Sequence, residues 1–394
     1  MIKVKAFLMR IGYFASVLYQ HNSPLGGFAH MKQFLTHAAG MGHEISLAHG
    51  GNHQHPAVQA IPFNRVGRVR ALRKVDILYY RVEHKAPRDV KWALAPRHPL
   101  IGSPPVVWEF NTVPEYCRIL GESEAAVRKH IADLRRYGAR CDLAVCVSHA
   151  IADYVREKIG LRHVITVQNG SDPDLFTPDA PPLKRVLRHP GRLNVVWIGS
   201  AEVKWHDFEM LKKAAWLIWD DAKPAADFHI IGRGMENLRD LPPNVHYHGA
   251  EQYEKIPNWL SSMDVGLNVY KSGAADFSCP LKIFDYMASA LTPVSTDQPQ
   301  VREIFAELGQ LDLMVPTGDA HALAQVLRNL AADPARVKRQ GAAARERVVK
   351  FYNWRRAAGD TLAAMEAILA RRGNTPNHRG ARMDVAFARH PAGF

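Results

Sequence analysis

Cysteine is scarce in this chain, with four residues (Cys117, Cys141, Cys146 and Cys279) in 394. So few thiols exclude a disulfide scaffold. With no C-x-x-C pair and no histidine at zinc spacing, they read as reduced, structural thiols of the interior. Long apolar runs are also missing. No stretch of about 18 apolar residues exists, so nothing in the sequence reads as a membrane span. The opening residues MIKVKAFLMRIGYF are interrupted by Lys and Arg and read as a first strand rather than a secretory signal. The expected location is therefore the cytoplasm, including the inner face of its membrane. Acidic residues are in deficit, 38 against 51 Lys and Arg, and the formal charge of +13 calls for anionic partners such as nucleotide diphosphates, anionic lipid headgroups or nucleic acid. Nucleic acid is disfavoured because no RNP-type aromatic strand or other recognition module is present. There is no internal repeat, and the fragment Gly232-Arg233-Gly234 lacks the third glycine of a dinucleotide fingerprint. That argues against a nicotinamide-dependent oxidoreductase.

What the chain does have is a regular alternation of strand-like, helix-like and turn-like segments, the pattern of α/β units on parallel sheets. At this length two domains are expected. A proline- and Lys/Arg-rich stretch at 179–191 has linker composition and separates residues 1–178 from 192–350. A final helix is expected at 351–370, and the basic, unpatterned residues 371–394 read as a disordered tail.

The densest constellation runs from Phe277 to Thr296, FSCPLKIFDYMASALTPVST. Pro280 suits a first helical position, with Ser278 or Cys279 as the cap. Leu281, Phe284, Met287, Ala288 and Leu291 share one face of that helix, whereas Lys282, Asp285 and Ser289 share another. A loop feeding a helix N-terminus offers unpaired N–H groups and partial positive charge, which suits a phosphate. Elsewhere, Gly26 and Gly27 precede an amphipathic helix and permit close backbone approach to a ligand. Glu109 and Asn111 end a buried-type strand, where an acceptor can be met or where they serve as loop caps. The strand 193–200 ends at Gly199-Ser200 and is followed by Lys204-Trp205-His206. Basic residues at 65–74 and 81–97, interleaved with Trp92, form either a surface for anionic lipid or a solvated face. His49, His53 and His55 read as a polar loop.

The run Pro280 to Ala288 (PLKIFDYMA) resembles the donor-site helix of family 4 glycosyltransferases, which have two Rossmann-like domains facing across a cleft (the GT-B fold). The passage from Val147-Ser148 through Gln168-Asn169-Gly170-Ser171-Asp172 to Phe176-Thr177-Pro178 is similar to that family's interdomain segment, and Phe351-Tyr352-Asn353-Trp354 to its junction before a final helix. The resemblance implies transfer of a sugar from a nucleotide-diphosphate sugar to a saccharide or lipid-linked saccharide with retention of configuration. It implies a role in bacterial cell-surface polysaccharide or glycoconjugate synthesis and no cofactor or metal. Asp172-Pro173-Asp174 is accordingly a turn rather than a metal motif. By resemblance, Lys204 or His206, together with Lys282, would meet the departing diphosphate. Gly199, Ser200, Gly232, Arg233, Pro280, Leu281 and Asp285 would hold the donor, with Asp285 on the ribose. Gly26, Gly27, Glu109 and Asn111 would face the diphosphate and acceptor. The chain departs from the family pattern twice, with Phe277 at the place of the first of two paired Glu residues and Ser200 at the place of an Arg. A non-catalytic binding or scaffold protein on the same fold is the alternative.

Overall fold

The structure is a computed structural model. It describes residues 8–15, 26–48, 55–61, 74–82, 104–183, 186, 189–221, 223–235, 240–271, 273 and 279–373. The expectations that concern 23–25, His49, His53, the basic runs at 65–73 and 85–97, residues 276–278 and the tail from 374 onward lie outside these.

Two parallel sheets organise the described chain. The first holds β1 (Arg10–Ala15), β2 (Glu44–Ala48), β3 (Gln59–Ile61), β4 (Ile77–Val82), β5 (Val106–Phe110), β6 (Leu143–Cys146) and β7 (Val164–Thr166), in the order β3-β2-β1-β4-β5-β6-β7. The second holds β8 (Leu193–Ser200), β9 (Ala226–Arg233), β10 (Val245–Tyr247), β11 (Val265–Asn268), β12 (Thr292–Thr296) and β13 (Met314–Val315), ordered β10-β9-β8-β11-β12-β13. The helices in chain order are α1 (Gly26–Gly40), α2 (Tyr116–Ile119), α3 (Glu124–Gly138), α4 (His149–Tyr154), α5 (Phe208–Trp219), α6 (Ile256–Leu260), α7 (Leu281–Ala288), α8 (Pro299–Glu307), α9 (Ala320–Ala332), α10 (Pro334–Phe351) and α11 (Trp354–Gly373).

Helices cover both faces of each sheet, so the central strands β4, β5, β11 and β12 are buried at every position, their few polar side chains included. The first sheet has a core on each side, one built on Tyr13, Phe34 and Tyr79 and the other on Trp108, Phe110 and Ile151. The second domain closes over a single large cluster around Trp197, Phe228, Trp259, Phe284 and Phe305. α11 returns to the first domain, where Ala358, Leu362 and Met365 join Met31, Phe34 and Leu35.

The chain crosses between the domains twice, and the crossings lie side by side. Ser171 N–H donates to the Tyr352 carbonyl at 2.9 Å, and Trp354 N–H donates to the Ser171 carbonyl at 3.1 Å. A Cβ on Gly170 would fall 2.5 Å from the Tyr352 carbonyl oxygen, so only glycine allows this approach. Arg345 locks the crossing from α10 by donating to the carbonyls of Phe176 (3.0 Å) and Ala288.

Two local expectations are corrected. Pro280 is the N-cap of α7 rather than its first helical residue, with extended φ −68° and ψ 114° and no capping side chain. Gly26 and Gly27 form the first turn of α1 instead of a loop before it. Elsewhere capping follows the usual chemistry: Asp319 accepts from Ala322 N–H at 2.9 Å at the start of α9. Asp319→Ala is expected to cost about 1 kcal/mol. Thermal unfolding should report this as a fall of about 2–4 °C for a domain of this size.

Candidate functional site

In sheets of this kind, ligands bind beyond the carboxyl ends of strands where the winding reverses direction. The reversals lie between β1 and β4 in the first sheet and between β8 and β11 in the second. The end of β8 is Gly199-Ser200, paired in register with Gly232-Arg233 of β9. Gly232, at φ +156°, sits so close that a Cβ would fall 1.5 Å from the Gly199 carbonyl oxygen. Gly232 is thus needed to bring the two strand ends together, whereas a Cβ on Gly199 would fall 2.5 Å from the Trp197 ring. Arg233 itself is exposed at the rim.

The turn after β8 delivers His206 back over the strand end, where it forms an isolated bridge with Tyr270. His206 Nδ1 donates to the Ser200 carbonyl at 2.9 Å, which leaves Nε2 as an acceptor. Lys282 Nζ, from the first turn of α7, lies 3.2 Å from that Nε2. The ammonium also stands 5.1 Å from the centre of the Trp197 ring and 5.2 Å from that of Tyr270. Burial pushes the Lys282 amine down to about 7, although part of the side chain remains open to solvent. Burial first, and then the neighbouring Lys282, push His206 down to about 3, so this imidazole is neutral at physiological pH. Among the described residues no carboxylate lies within ion-pair distance of Lys282. A cation held in a half-buried aromatic frame without a counter-ion is suited to receiving one from a ligand. Lys204 lies exposed on the same turn, away from this arrangement.

The α7 N-terminus lies beside this cation. With Pro280 as the N-cap, the N–H groups of Leu281 and the residues after it are the ones an α-helix leaves unpaired. The approach is fixed from the first domain, because Asn169 Nδ2 donates to the Cys279 carbonyl at 3.4 Å. Gln300 donates both to the Cys279 sulfur and to the Val147 carbonyl, each at 2.9 Å. One turn into α7, the Asp285 carboxylate accepts from Ser171 Oγ at 2.6 Å, tying the helix to the domain crossing. Burial, with a smaller push from nearby Asp172, raises Asp285 to about 8. Asp172 takes a turn role, accepting from the N–H groups of Asp174 and Leu175.

On the opposite side, the structure separates the residues expected to face an acceptor. Glu109 is 1% exposed. Its carboxylate is held by Arg81 Nη1 at 3.0 Å, His30 Nδ1 at 3.2 Å, Tyr13 Oη at 3.3 Å and Asn111 Nδ2. Burial works to raise this carboxyl, but His30, Arg81, Tyr79 and Asn111 together hold it below its ordinary value. It lies against a narrow cavity under α11, lined by His30, Phe34, Tyr79, Trp354 and Thr361. Glu109 therefore anchors the first domain from inside, and Asn111 is drawn to it. Sequence reading did not find this network. The available signal was strand alternation, because Tyr79 and Arg81 share a face of β4, Tyr13 pairs with Tyr79 and Glu109 pairs with Arg81. Also missed were the contacts that span the cleft. Tyr116 of α2 meets Trp205, the neighbour of His206, edge-on at 5.1 Å, and Lys32 of α1 pairs with Glu254 at 3.3 Å.

Comparison with known proteins is consistent with this geometry. Residues 192–333 match the family model described as glycosyl transferases group 1. The provisionally named teichuronic acid biosynthesis glycosyltransferase TuaH of Bacillus subtilis (strain 168) is 29% identical over 177 residues. That match takes in 42% of this chain and 43% of the relative, so less than half of the relative's own length is spanned. Among solved structures, sucrose-phosphate synthase from Thermosynechococcus elongatus superposes with a TM-score of 0.67 at 15% identity, over 92% of this chain and all of that one. Anabaena HepE in complex with UDP and glucose does so with a TM-score of 0.64 at 14% identity, over 91% of this chain and 100% of the other. The chain has the GT-B fold, two Rossmann-like domains meeting across a cleft.

Proposed function

We propose that this protein is a glycosyltransferase that binds a nucleotide-diphosphate sugar against its second domain and transfers the sugar to a saccharide or lipid-linked saccharide. The observation that carries this reading is Lys282, an ammonium with no carboxylate partner among the described residues, poised at the β8–β11 reversal beside the start of α7, which has no capping side chain. Together these supply a positive side chain and aligned N–H groups, the donors a pyrophosphate leaving group needs as its charge develops. His206 acts as a positioning residue that receives one N–H of Lys282 and so aims the remaining donors. In the family-4-like form of the reaction, the departing phosphate oxygen takes the acceptor's proton and the sugar keeps its configuration. No protein carboxylate then acts as nucleophile. The similarity of residues 192–333 to group 1 glycosyl transferases supports the same donor class. A surface-polysaccharide acceptor is supported by the partial match to a teichuronic acid enzyme.

Asp285 would anchor the nucleoside ribose. With its carboxyl raised to about 8, Asp285 is mainly neutral at pH 7, and Asp285→Ala is expected to weaken donor binding roughly two- to tenfold, the about 0.5–1.5 kcal/mol of a neutral hydrogen bond. Isothermal calorimetry with the donor checks this, and equal affinities would remove Asp285 from the site. The reading as a whole is tested by a thermal-shift screen against nucleoside diphosphates and their sugars, followed by assay of nucleotide release with each hit. A binder raises the melting temperature by mass action. A shift without sugar release, with any saccharide offered, would favour the binding-only alternative, and no shift with any nucleotide would defeat both.

A further inference from the structure

At the end of α2 and the start of α3, the fold gathers three metal-ligating side chains. Cys117 closes onto Glu122 through the end of α2. Glu122 N–H donates to the Cys117 carbonyl at 2.9 Å, and Gly121 N–H donates to the Arg118 carbonyl at 3.0 Å. This pair of bonds is a Schellman turn, and it needs the left-handed φ of +86° that Gly121 supplies. The chain then re-enters a helix at Ser123, whose side chain accepts from Ala126 N–H, and α3 brings His130 over the same turn. His130 Nε2 stands 3.1 Å from Glu122 Oε2, and the Cys117 sulfur, the Glu122 carboxylate and the His130 ring nitrogen all lie within 4.8 Å of one another.

We propose that Cys117, Glu122 and His130 form a binding site for a thiophilic divalent cation, with Zn2+ as the best fit, leaving a fourth position for water. A tetrahedral zinc with nitrogen and oxygen ligands at about 2.0–2.1 Å and sulfur at about 2.3 Å has ligand–ligand edges of roughly 3.3–3.6 Å. The His130–Glu122 separation is already near that, and closing the rest requires a side-chain movement of about an ångström. The donor set is one thiolate, one carboxylate and one neutral imidazole, which disfavours Mg2+ and Ca2+ because those prefer all-oxygen shells. Cys117 is fully buried, whereas Glu122 and His130 keep 23% and 15% of their side-chain surface, so the ion enters from their side. Binding converts the Cys117 thiol to thiolate and releases its proton to solvent.

The site holds α2, the helix whose Tyr116 reaches across the cleft to Trp205. An ion there would fix one of the contacts between the domains, whatever ligand the cleft takes.

The test uses the full-length, untagged protein stripped with a chelator. Co2+ titration should give one equivalent with a thiolate-to-metal charge-transfer band in the near ultraviolet and tetrahedral d–d bands. Zn2+, followed by competition with a chromophoric chelator, should bind at one equivalent and raise the melting temperature. Cys117→Ser and His130→Gln should each weaken binding at least tenfold and abolish the charge-transfer band or the thermal shift, whereas Cys279→Ser should leave both unchanged. Circular dichroism of the stripped variants checks that they fold, and Glu122→Gln replaces any that does not. Absence of the charge-transfer band in the wild type, or metal affinity unchanged across the Cys117, Glu122 and His130 variants, would overturn the site.

Discussion

Replacing Lys282 by Met is expected to lower kcat/KM for the sugar donor by about 100- to 1000-fold while leaving the protein folded. The magnitude is that of removing one preorganised donor to developing negative charge, about 2.7–4 kcal/mol. Folding should tolerate the change, because burial already holds the Lys282 amine at about 7, far below its ordinary 10.5. Between these two values the unfolded chain binds more protons than the native one, so native stability rises with pH across that window. Lys282 therefore opposes folding most below pH 7 and ceases to do so above about 10.5. The Met variant, which keeps the aliphatic contact with Trp197 and Tyr270, should gain stability relative to wild type at pH 6, and the gain should vanish toward pH 10.5. Activity should follow the opposite logic. A protonated Lys282 is what meets the diphosphate, so wild-type kcat/KM should decline as pH rises through about 7, and that limb should be missing in the variant. A Met variant that retains more than a third of wild-type kcat/KM would remove Lys282 from the reaction. His206→Gln, which disturbs only the aim of the ammonium, should cost less than the loss of the ammonium itself.

The path from sequence to this site was uneven, for reasons that can be assigned to particular residues. The two sheets were legible because runs such as β8 and β11 have strand length, are mostly apolar and alternate with helix-like and turn-like segments. That Lys282 and Asp285 lie on one helix and share a face of it was legible as well, since residues three apart do so. The choice between Lys204 and His206 was not. Both follow the same strand, and only the path of the turn from Ala201 to Trp205 turns the imidazole inward and leaves the ammonium outside. The role of Glu109 was hidden for a different reason. A carboxylate at a strand end looks like a ligand group until the neighbouring strands supply Arg81 and Tyr13, and their register is set by contacts 28 and 96 residues away in sequence. The Cys117–Glu122–His130 grouping matches no spacing rule, because a Schellman turn and a second helix are both required to assemble it.

The Glu109 network makes the strongest claim on stability. Arg81→Met removes the guanidinium while leaving the carboxylate almost fully enclosed, and such one-sided disruption of a buried pair is expected to cost about 3–5 kcal/mol. For a domain of this size that corresponds to a fall of roughly 6–20 °C in the thermal transition. Glu109→Gln should behave similarly above pH 4.5, since it strands Arg81 and withdraws the charge facing His30. Its deficit should shrink on acidification. The Glu109 carboxyl is held below 4.5 in the folded protein, so the stability it confers is complete above the unfolded value and is lost as pH falls through the folded one. The double variant Arg81→Met with Glu109→Gln removes both charges together and should recover most of what either single change loses, because the desolvation of both charges disappears along with their attraction. Urea denaturation of the four proteins at pH 7 and pH 4 closes the cycle. If the two single losses simply add in the double variant, Arg81 and Glu109 are energetically independent, and the carboxylate would again become available for a role at the cleft. If the double variant is far more stable than that sum, Glu109 is committed to holding β1, β4 and β5 together beneath the site.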